Sequence, residues 1–415
     1  MKGFLLFEDD VAVLKFGGSS LNDLSGVKRC ASIISKCFEQ HKKIVCVLSA
    51  MGTQTDLLLG KARELSDFPE KRELDMLLTT GERVSCALMS IALQTLGHKA
   101  VSITGSQCGI ITDKCHGSAT IKHIEGFRLR KYLKTHDIIL VAGFQGVSEQ
   151  GKEITTLGRG GSDLTAVALA THLKAKDCLI YTDVPGVMTA DPRVVPSAET
   201  VSNVNWHDMQ KLASYGAKVL HPRAALLSQR SKMPLKVLSS LDLGSAYSTV
   251  NGDAIKMESS YVVGVAHKKK QSLWQFNVSK ASCKNFIASF CKLIHEDNDP
   301  IYIRQNSFNQ DRYILECLVP SCLDSVIVKG VKKLEHSGLI FTQKKQSQEA
   351  LISIVGGGLH RLFCVVDEIF SSLDCPVSFS DMRDDTIQVL IAEKYLDECI
   401  SEIHTKIRSL HLFCL

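Results

Sequence analysis

Several patterns that mark common functional classes are missing from this chain of 415 residues. Its 15 cysteines include no C-x-x-C pair and lie in apolar runs, as Cys46, Cys86, Cys178 and Cys364 do. This argues against a disulfide framework or a zinc site and favours a reducing compartment. No stretch approaches the roughly eighteen uncharged apolar residues of a membrane span, and acids follow the short apolar run at the N-terminus at once. We therefore expect a cytoplasmic protein without a membrane segment.

Signals for nucleic-acid and dinucleotide binding are also missing. No block of Lys or Arg exceeds the three residues at 268–270, and the net charge is +5, so nucleic-acid binding has little support. No G-x-x-x-x-G-K-[ST] sequence occurs, and the glycine run that starts at Gly158 has Asp163 where a dinucleotide fingerprint has its third glycine. A content of 45% hydrophobic and 22% charged residues is ordinary for a globular protein, and the length predicts two or three domains.

The most informative segment that is present is L-G-R-G-G-S-D at 157–163, which leads into a helical run. Gly158, Gly160 and Gly161 let the backbone approach an anion closely and adopt positive φ. A glycine loop that ends at a helix N-terminus can bind phosphate or carboxylate, and Arg159 adds a planar cation that suits either anion. Taken alone, these residues fit an ordinary glycine-rich loop with a helix cap as well.

A second glycine loop follows a buried strand that the apolar run at 11–16 predicts. Lys15 lies near the carboxyl end of that strand, the turn G-G-S-S occupies 17–20, and a helix is predicted to begin near Leu24. Ligands of open α/β sheets bind outside the carboxyl ends of the strands, so Lys15 can reach a transferred phosphate there. The alternative is a surface lysine that extends from a strand end.

Residues 11 to about 255 alternate short apolar runs with longer amphipathic ones, which predicts a mostly parallel sheet covered by helices on both faces. The predicted strands are 11–16, 44–48, 100–103, 138–142, 178–181 and 235–238. The predicted helices include 24–40, 72–96, 164–173 and 221–229. The segment 188–201, rich in Pro, Ala and Ser, is predicted to be a loop over a site.

Beyond about residue 260 glycine-rich loops become rare and a repeat of β-α-β-β-α-β type begins. The first copy has predicted strands at 273–278, 301–304 and 313–318, a turn at Asp299-Pro300, and helical spacing of Phe286, Ile287, Phe290, Leu293 and Ile294. The second copy has predicted strands at 350–355, 377–380 and 387–391, a turn at Cys375-Pro376, and helical spacing of Leu362, Val365, Val366, Ile369, Phe370 and Leu373.

The motifs together resemble the amino-acid-kinase superfamily and, within it, the aspartokinases. K-F-G-G-S-S at 15–20 and G-R-G-G-S-D at 158–163 carry the superfamily resemblance. S-A-M-G-T-Q-T-D at 49–56 resembles the aspartokinase substrate loop, T-D-V-P-G-V-M-T-A-D-P-R at 182–193 its nucleotide-binding stretch, and G-A-K-V-L-H-P at 216–222 the segment with a phosphate-binding lysine. These matches occur in the expected order, and the repeat resembles a pair of ACT domains.

The resemblance implies an α/β amino-acid-kinase domain over 1–260 and two α+β ferredoxin-like ACT regulatory domains over 261–345 and 346–415, which can share strands. It implies ATP-dependent phosphorylation of L-aspartate to 4-phospho-L-aspartate, the first step of the pathway to lysine, diaminopimelate, threonine and methionine. Mg²⁺ is expected to be held mainly by nucleotide phosphates and water. The implied type is the monofunctional, lysine-sensitive one, and a homodimer or homotetramer through the ACT domains is expected.

The resemblance also assigns roles to single residues. Lys15 stabilises the transferred phosphoryl group and Asp163 orients Lys15. The residues predicted to bind aspartate are Ser49, Thr55, Glu82, Arg159 and Ser162. Among them, Glu82 of T-T-G-E-R-V-S is expected to bind the α-amino group and Arg159 the α-carboxylate. The predicted nucleotide residues are Lys15, Gly17, Gly18, Ser19, Gly160, Gly161, Thr182, Asp183, Met188, Arg193, Lys218 and Val219. Read without the resemblance, Glu82 fits a solvated helix-start acid and Lys218 a surface helix lysine.

Two departures from the family pattern affect binding. Met188 stands where many relatives carry a tyrosine that lines the adenine site, so a phenol hydrogen bond is lost although the thioether can pack on a base. Lys284-Asn285-Phe286-Ile287-Ala288 lacks the glycine of lysine-sensing relatives. Ser279, Ser282 and Phe286 are the predicted effector residues. The alternatives are an ACT pair that only dimerises, or a response to threonine or S-adenosylmethionine.

Two other functions remain open at this point. One is an amino-acid kinase acting on glutamate, acetylglutamate, carbamate or a nucleoside monophosphate; Glu82, Thr55 and the double ACT tail argue against it. The other is a sensor without catalysis, against which the presence of Lys15, Arg159, Asp163 and Lys218 argues.

Overall fold

The computed structural model describes residues 11–252, 260–294, 302–307, 311–336, 342–362, 364, 368, 371, 372 and 375–415. Three features considered in the sequence lie outside these residues. They are the N-terminal apolar run, the turn at Asp299-Pro300, and the second-copy helix positions Val365, Val366, Ile369, Phe370 and Leu373.

Residues 11–252 form an α/β layer structure around one eight-stranded sheet. The strands are β1 (Val11–Phe16), β2 (Lys43–Leu48), β3 (Ala100–Ile103), β4 (Ile110–Thr112), β5 (Ile121–Ile124), β6 (Ile138–Ala142), β7 (Gln145–Ser148), β8 (Ile154–Thr156), β9 (Asp177–Thr182), β10 (Asn203–Asn205), β11 (Leu235–Ser239) and β12 (Ser248–Asn251). The helices are α1 (Leu24–Phe38), α2 (Gln54–Leu65), α3 (Lys71–Leu78), α4 (Thr80–Thr95), α5 (Gly105–Cys108), α6 (Phe127–Thr135), α7 (Gly161–Leu173), α8 (Trp206–Ser214) and α9 (Pro222–Ser231).

The large sheet has the strand order β10-β12-β11-β9-β1-β2-β6-β3, and its pairs are parallel except β11 with β12. The central strands read as continuous apolar runs because helices cover both faces. One face packs residues such as Val13 and Ile180 against α7, and the other packs Leu14 and Leu140 against α1 and α4. The predicted parallel sheet with two covered faces is therefore confirmed.

All six strands predicted in this region are confirmed, three with the predicted bounds and three with a shift of one residue at one or both ends. The predicted helix 72–96 is two helices, α3 and α4, with Thr79 between them. The predicted helix 164–173 begins earlier, at Gly161, because Gly160 takes a left-handed conformation with φ of 65° and caps it. A four-stranded sheet in the order β5-β4-β7-β8 was not predicted.

A second sheet of six antiparallel strands follows, in the order β14-β15-β13-β16-β18-β17. Its elements are β13 (Tyr261–Ser279), α10 (Cys283–Ile294), β14 (Tyr302–Ser307), β15 (Arg312–Pro320), α11 (Asp324–His336), β16 (Thr342–Gly357), β17 (Val377–Met382), β18 (Thr386–Ala392) and α12 (Leu396–Ser409). The predicted strands of both repeat copies lie in these elements, except Ile301, which lies outside the described residues. The long strands β13 and β16 each extend through both copies, with register shifts near Lys268 and Gln271.

One stretch of the described residues, Lys71–Thr95, is long and apolar enough to cross a membrane by length and composition. It comprises α3 and α4, and 44% of its most apolar window is buried. Buried side chains of α4, among them Cys86, Met89 and Leu93, pack in the core beneath the large sheet. The core helix of a soluble protein passes the same test, so this stretch is weak evidence for a membrane span.

Phe286 provides a test of the packing of the C-terminal sheet. Its ring is fully buried, with its centroid 5.1 Å from that of Phe276 and 5.5 Å from that of Phe290. Phe286→Ala should leave a cavity and destabilise this part of the protein by about 3–5 kcal/mol. We expect calorimetry to show a midpoint lower by several degrees. Val326→Ala, at a half-exposed site on α11, is the matched control; an equal shift for the two variants would contradict the packing described here.

Candidate active site

Lys15 lies near the carboxyl end of the central strand β1. Its neighbours in register are Val47 of β2 and Ile180 of β9, so the strand is flanked on both sides by parallel partners. The glycine turn folds back over the lysine, because a Cβ built on Gly17 would lie 3.2 Å from Lys15 Nζ. Ser19 is exposed at this turn. The sheet thus places an ammonium group under a turn at the edge where ligands of α/β sheets bind.

Lys15 forms an ion pair with the first turn of α7. Its Nζ lies 2.7 Å from Asp163 Oδ1, and the two side chains are only 12% and 10% exposed. The other carboxylate oxygen, Asp163 Oδ2, accepts a hydrogen bond of 3.1 Å from the His221 backbone N–H. Asp163 therefore links β1, α7 and the start of α9.

The loop before α7 requires glycine at Gly160. Its φ is 65°, and a Cβ there would lie 2.2 Å from the ring of His221. Gly161 begins α7 and is equally crowded, since a Cβ would meet Leu157 and Phe144 at 2.9–3.1 Å. Both predicted glycines thus have a structural reason in this backbone, and they place the amino end of α7 beside Lys15.

The segment that starts at Ser49 packs on the first glycine turn. The Ser49 N–H donates to Phe16 O and the Gly52 N–H to Gly18 O, each at 3.1 Å. A Cβ on Gly18 would come within 2.9 Å of Ala50 O. Thr55 follows in the first turn of α2. Ser162 lies across the sheet edge and packs closely on Gly143. A Cβ built on Gly143 would be 2.7 Å from the Ser162 Oγ.

Glu82 lies beneath this segment and is 3% exposed. Its Oε1 accepts a hydrogen bond of 3.1 Å from the Ala50 N–H, while Oε2 is buried and receives none from the residues that the structure describes. Burial raises the pKa of Glu82 to about 7, and the hydrogen bond from Ala50 opposes the shift only partly. The interpretation as a solvated helix-start acid is therefore wrong. A buried carboxylate with one free oxygen can receive a cationic group.

Arg159 lies exposed at the tip of the glycine loop. No hydrogen bond or ion pair to its guanidinium comes from any described residue. Its planar donors are therefore available to an anion.

A groove next to the ion pair gathers predicted nucleotide residues. Its lining includes five of them: Asp183, Met188, Arg193, Lys218 and Val219. Thr182 adjoins it at the end of β9, where its hydroxyl donates to Asp183 Oδ1 at 3.1 Å. Since β9 pairs in parallel with β1, the groove lies at the same edge of the sheet as Lys15 and the glycine turn that follows it.

Two groove residues have surroundings that the sequence did not predict. Lys218 lies exposed in the turn between α8 and α9, so the interpretation as a helix lysine is wrong. The Met188 sulfur accepts a hydrogen bond of 3.4 Å from the Thr200 hydroxyl, and the two residues form an isolated bridge. The segment 188–201 is thus the predicted loop, and the contact between Met188 and Thr200 joins its two ends.

The predicted effector residues lie in two different environments. Ser279 ends β13, and its Oγ accepts the Ser282 N–H at 3.1 Å and contacts the Ser282 hydroxyl at 2.9 Å. Phe286 lies in the core and is fully buried. An effector could touch the serines in this conformation, but it would reach the Phe286 ring only if the core opened, so direct contact by Phe286 lacks support here.

Residues that the sequence did not single out complete the site. His221 supplies the N–H that binds Asp163, and Arg223 donates from its guanidinium to Leu157 O and Ala119 O, which fastens the base of the glycine loop. Both lie in or beside the G-A-K-V-L-H-P motif at 216–222. The sequence therefore pointed to this segment, but it did not predict the roles of these two residues. His267 of β13 lines the groove and had no signal.

Comparisons with known proteins show what this chain is similar to. The profile of the amino acid kinase family matches residues 10–239. The aspartokinase of Geobacillus stearothermophilus is 36% identical over 402 residues, which are 95% of this chain and 96% of that protein.

Two solved structures of E. coli aspartokinase III share the fold at 22% identity. The complex with aspartate and ADP has a TM-score of 0.80 over 96% of this chain and 100% of that chain. The complex with lysine and aspartate has a TM-score of 0.68 over 95% and 99%. The predicted architecture, an amino-acid-kinase fold followed by a sheet region consistent with ACT domains, is confirmed.

The raised pKa of Glu82 makes stability depend on pH. Because the folded pKa is about 7 and the ordinary value is 4.5, the folded state holds a proton that the unfolded state has released between these values. Stability from this group is therefore lost as pH rises toward and through 7. Between about pH 5.5 and 8 the loss is about 2 kcal/mol.

Glu82→Gln removes this titration. The free energy of unfolding of the variant, relative to that of the parent chain, should therefore rise by about 2 kcal/mol as the pH increases from about 5.5 to 8. Urea denaturation of both proteins at the two pH values measures the difference. A constant difference would show that Glu82 titrates normally.

Proposed function

The chain belongs to the amino acid kinase family and, within it, to the aspartokinases, and on that premise we propose how its residues carry out the reaction. The activity is ATP-dependent phosphorylation of L-aspartate to 4-phospho-L-aspartate, with release of ADP. The reaction belongs to amino-acid biosynthesis from aspartate. The observation that carries the assignment of roles is the Lys15–Asp163 ion pair, which lies between two glycine loops and beside a groove.

Phosphoryl transfer needs positioning and charge stabilisation more than covalent help from the protein. A side-chain carboxylate oxygen of aspartate attacks the γ-phosphorus of ATP, and the bond to the β,γ-bridging oxygen breaks. The attacking carboxylate is already ionised, so no general base is required. Lys15 stabilises the charge that develops on the transferred group. Asp163 holds the Lys15 ammonium in position, as their 2.7 Å separation supports.

The amino-acid substrate needs one anion for its ammonium group and cations or dipoles for its carboxylates. We assign Glu82 to the α-amino group, because its buried Oε2 receives no hydrogen bond from the described part of the chain. Arg159 binds the α-carboxylate through its planar donors. The hydroxyls of Ser49, Thr55 and Ser162 supply further contacts along the same edge.

The nucleotide occupies the groove, with its phosphates toward Lys218, Arg193 and the glycine turns. We assign the backbone N–H groups of Gly17, Gly18, Ser19 and Gly160 to these phosphates. The Gly161 N–H already donates to Gly158 O at 3.0 Å, so Gly161 shapes the loop instead. Thr182, Met188 and Val219 line the remainder of the site. Asp183 and Asp191 present oxygen ligands of the kind that Mg²⁺ accepts. When bound, Mg²⁺ would be held mainly by phosphate and water oxygens and would neutralise phosphate charge.

L-Lysine is the proposed inhibitor, and Ser279 and Ser282 are its proposed contacts. The solved complex of E. coli aspartokinase III with lysine supports this assignment by analogy of fold. A homodimer or homotetramer through the C-terminal sheet is the proposed assembly, and the cytoplasm the proposed compartment, in keeping with 15 free cysteines.

The central test is ADP release from Mg-ATP with L-aspartate, titrated with L-lysine. We expect turnover with aspartate, little with the control substrate L-glutamate, and a fall as lysine rises. Turnover without lysine sensitivity would overturn the proposed effector. Turnover only with another acceptor would overturn the aspartate assignment, and lysine binding without turnover would indicate a sensor.

Two variants test the division of roles. Lys15→Ala should lower kcat by roughly 10²–10³-fold, the scale of losing one preorganised charge at the transition state. Lys28→Ala, at an exposed position on α1, should leave kcat unchanged.

Glu82→Gln should raise KM for aspartate by about tenfold or more, since a hydrogen-bonded charge pair is lost, and KM for ATP by less than about twofold. Equal changes in both KM values would contradict the assignment of Glu82 to the ammonium group.

A further inference from the structure

The first half of β13 forms one wall of the nucleotide groove. Val265, Ala266 and His267 line it together with residues of the kinase part. The Val265 N–H donates to Thr189 O at 2.8 Å, which ties the strand to the loop that carries Met188.

The strand is equally close to the turn that carries Lys218. Gly216 has a φ of 110°, and a Cβ there would lie 2.2 Å from His267 O. The turn is therefore pressed directly on the backbone of His267. The C-terminal sheet thus touches both segments to which nucleotide contacts are assigned.

His267 has unused hydrogen-bonding capacity in this wall. The residue is 9% exposed and lines the groove. Neither ring nitrogen has a hydrogen-bond partner among the described parts of the chain. Among the described residues, the ring nitrogens of His267 are not fully buried, so they are open to the groove and can donate to and accept from a ligand there.

We propose that His267 is a nucleotide-binding residue contributed by the C-terminal sheet, and that it hydrogen-bonds the nucleoside portion of the substrate rather than its phosphates. This inference rests on the proposed function of the groove as the nucleotide site.

The chemistry of the ring favours the nucleoside. Burial lowers the pKa of His267, the Asp191 carboxylate opposes this shift, and the Lys269 and Lys218 ammonium groups add to it. The ring is neutral near pH 7, so it offers one donor and one acceptor. Such a pair matches base-edge and ribose hydroxyl groups, whereas phosphates favour the cations Lys218 and Arg193. Val265, Ala266 and Met188 supply apolar surface beside the ring.

The test compares binding of Mg-ADP and of pyrophosphate, which has no nucleoside, by titration calorimetry of the full chain. His267→Leu keeps much of the side-chain volume and removes the ring nitrogens, while His267→Gln keeps a donor and an acceptor. His123→Ala, at an exposed position on β5, is the control, and Lys218→Ala reports loss of a phosphate contact.

We expect His267→Leu to raise Kd for Mg-ADP by roughly 3–10-fold, the scale of one hydrogen bond, with Kd for pyrophosphate changed less than about twofold. His267→Gln should recover most of the loss, and Lys218→Ala should weaken both ligands. An unchanged Kd for Mg-ADP in His267→Leu, or equal weakening of both ligands, would overturn the inference. Absence of Mg-ADP binding by the parent chain would instead overturn the proposed function on which it rests.

Discussion

The ion pair between Lys15 and Asp163 is the interaction on which the site depends. Both side chains are about nine-tenths buried, and the pair joins the central strand β1 to the first turn of α7. Removing one partner of such a pair leaves an uncompensated buried charge, which typically costs about 3–5 kcal/mol. The second oxygen of Asp163 extends the link to His221 and so to α9. One carboxylate therefore links the three elements that surround the proposed site of phosphoryl transfer.

The long strand β13 connects this site to the C-terminal sheet. Its first half lies against the groove at His267, and its last residue, Ser279, is a proposed effector contact. β13 pairs with β16 along most of its length. A displacement of one end of β13 would therefore also shift its pairing with β16. A second contact comes from α12, whose His404 ring lies 2.9 Å from the Thr189 hydroxyl in the groove loop. The proposed effector contact at Ser279 and the proposed nucleotide contact at His267 therefore lie on one continuous strand.

The parts of the structure that sequence reasoning predicted are those governed by local pattern. Buried parallel strands are continuous apolar runs, and glycine loops at their ends are visible because few other residues fit there. The four-stranded sheet β5-β4-β7-β8 was not predicted, because its strands have only three or four residues. Strands this short do not show a clear alternation of apolar and polar residues.

Residues whose roles arise from tertiary contact were the other omissions. His221 acts through a backbone N–H, which has no sequence signature, and His267 depends on where a distant strand passes. The burial of Glu82 likewise follows from the packing of the 49–56 segment over α4. Its helical position alone was compatible with exposure.

The most direct test of the account is a double-mutant cycle on kcat for Lys15 and Asp163. If Asp163 acts by positioning Lys15, Asp163→Ala should cost activity in the parent chain but less than about threefold in the Lys15→Ala background. If the two losses multiply, the residues act independently, and the ion pair is not the organising feature of the site.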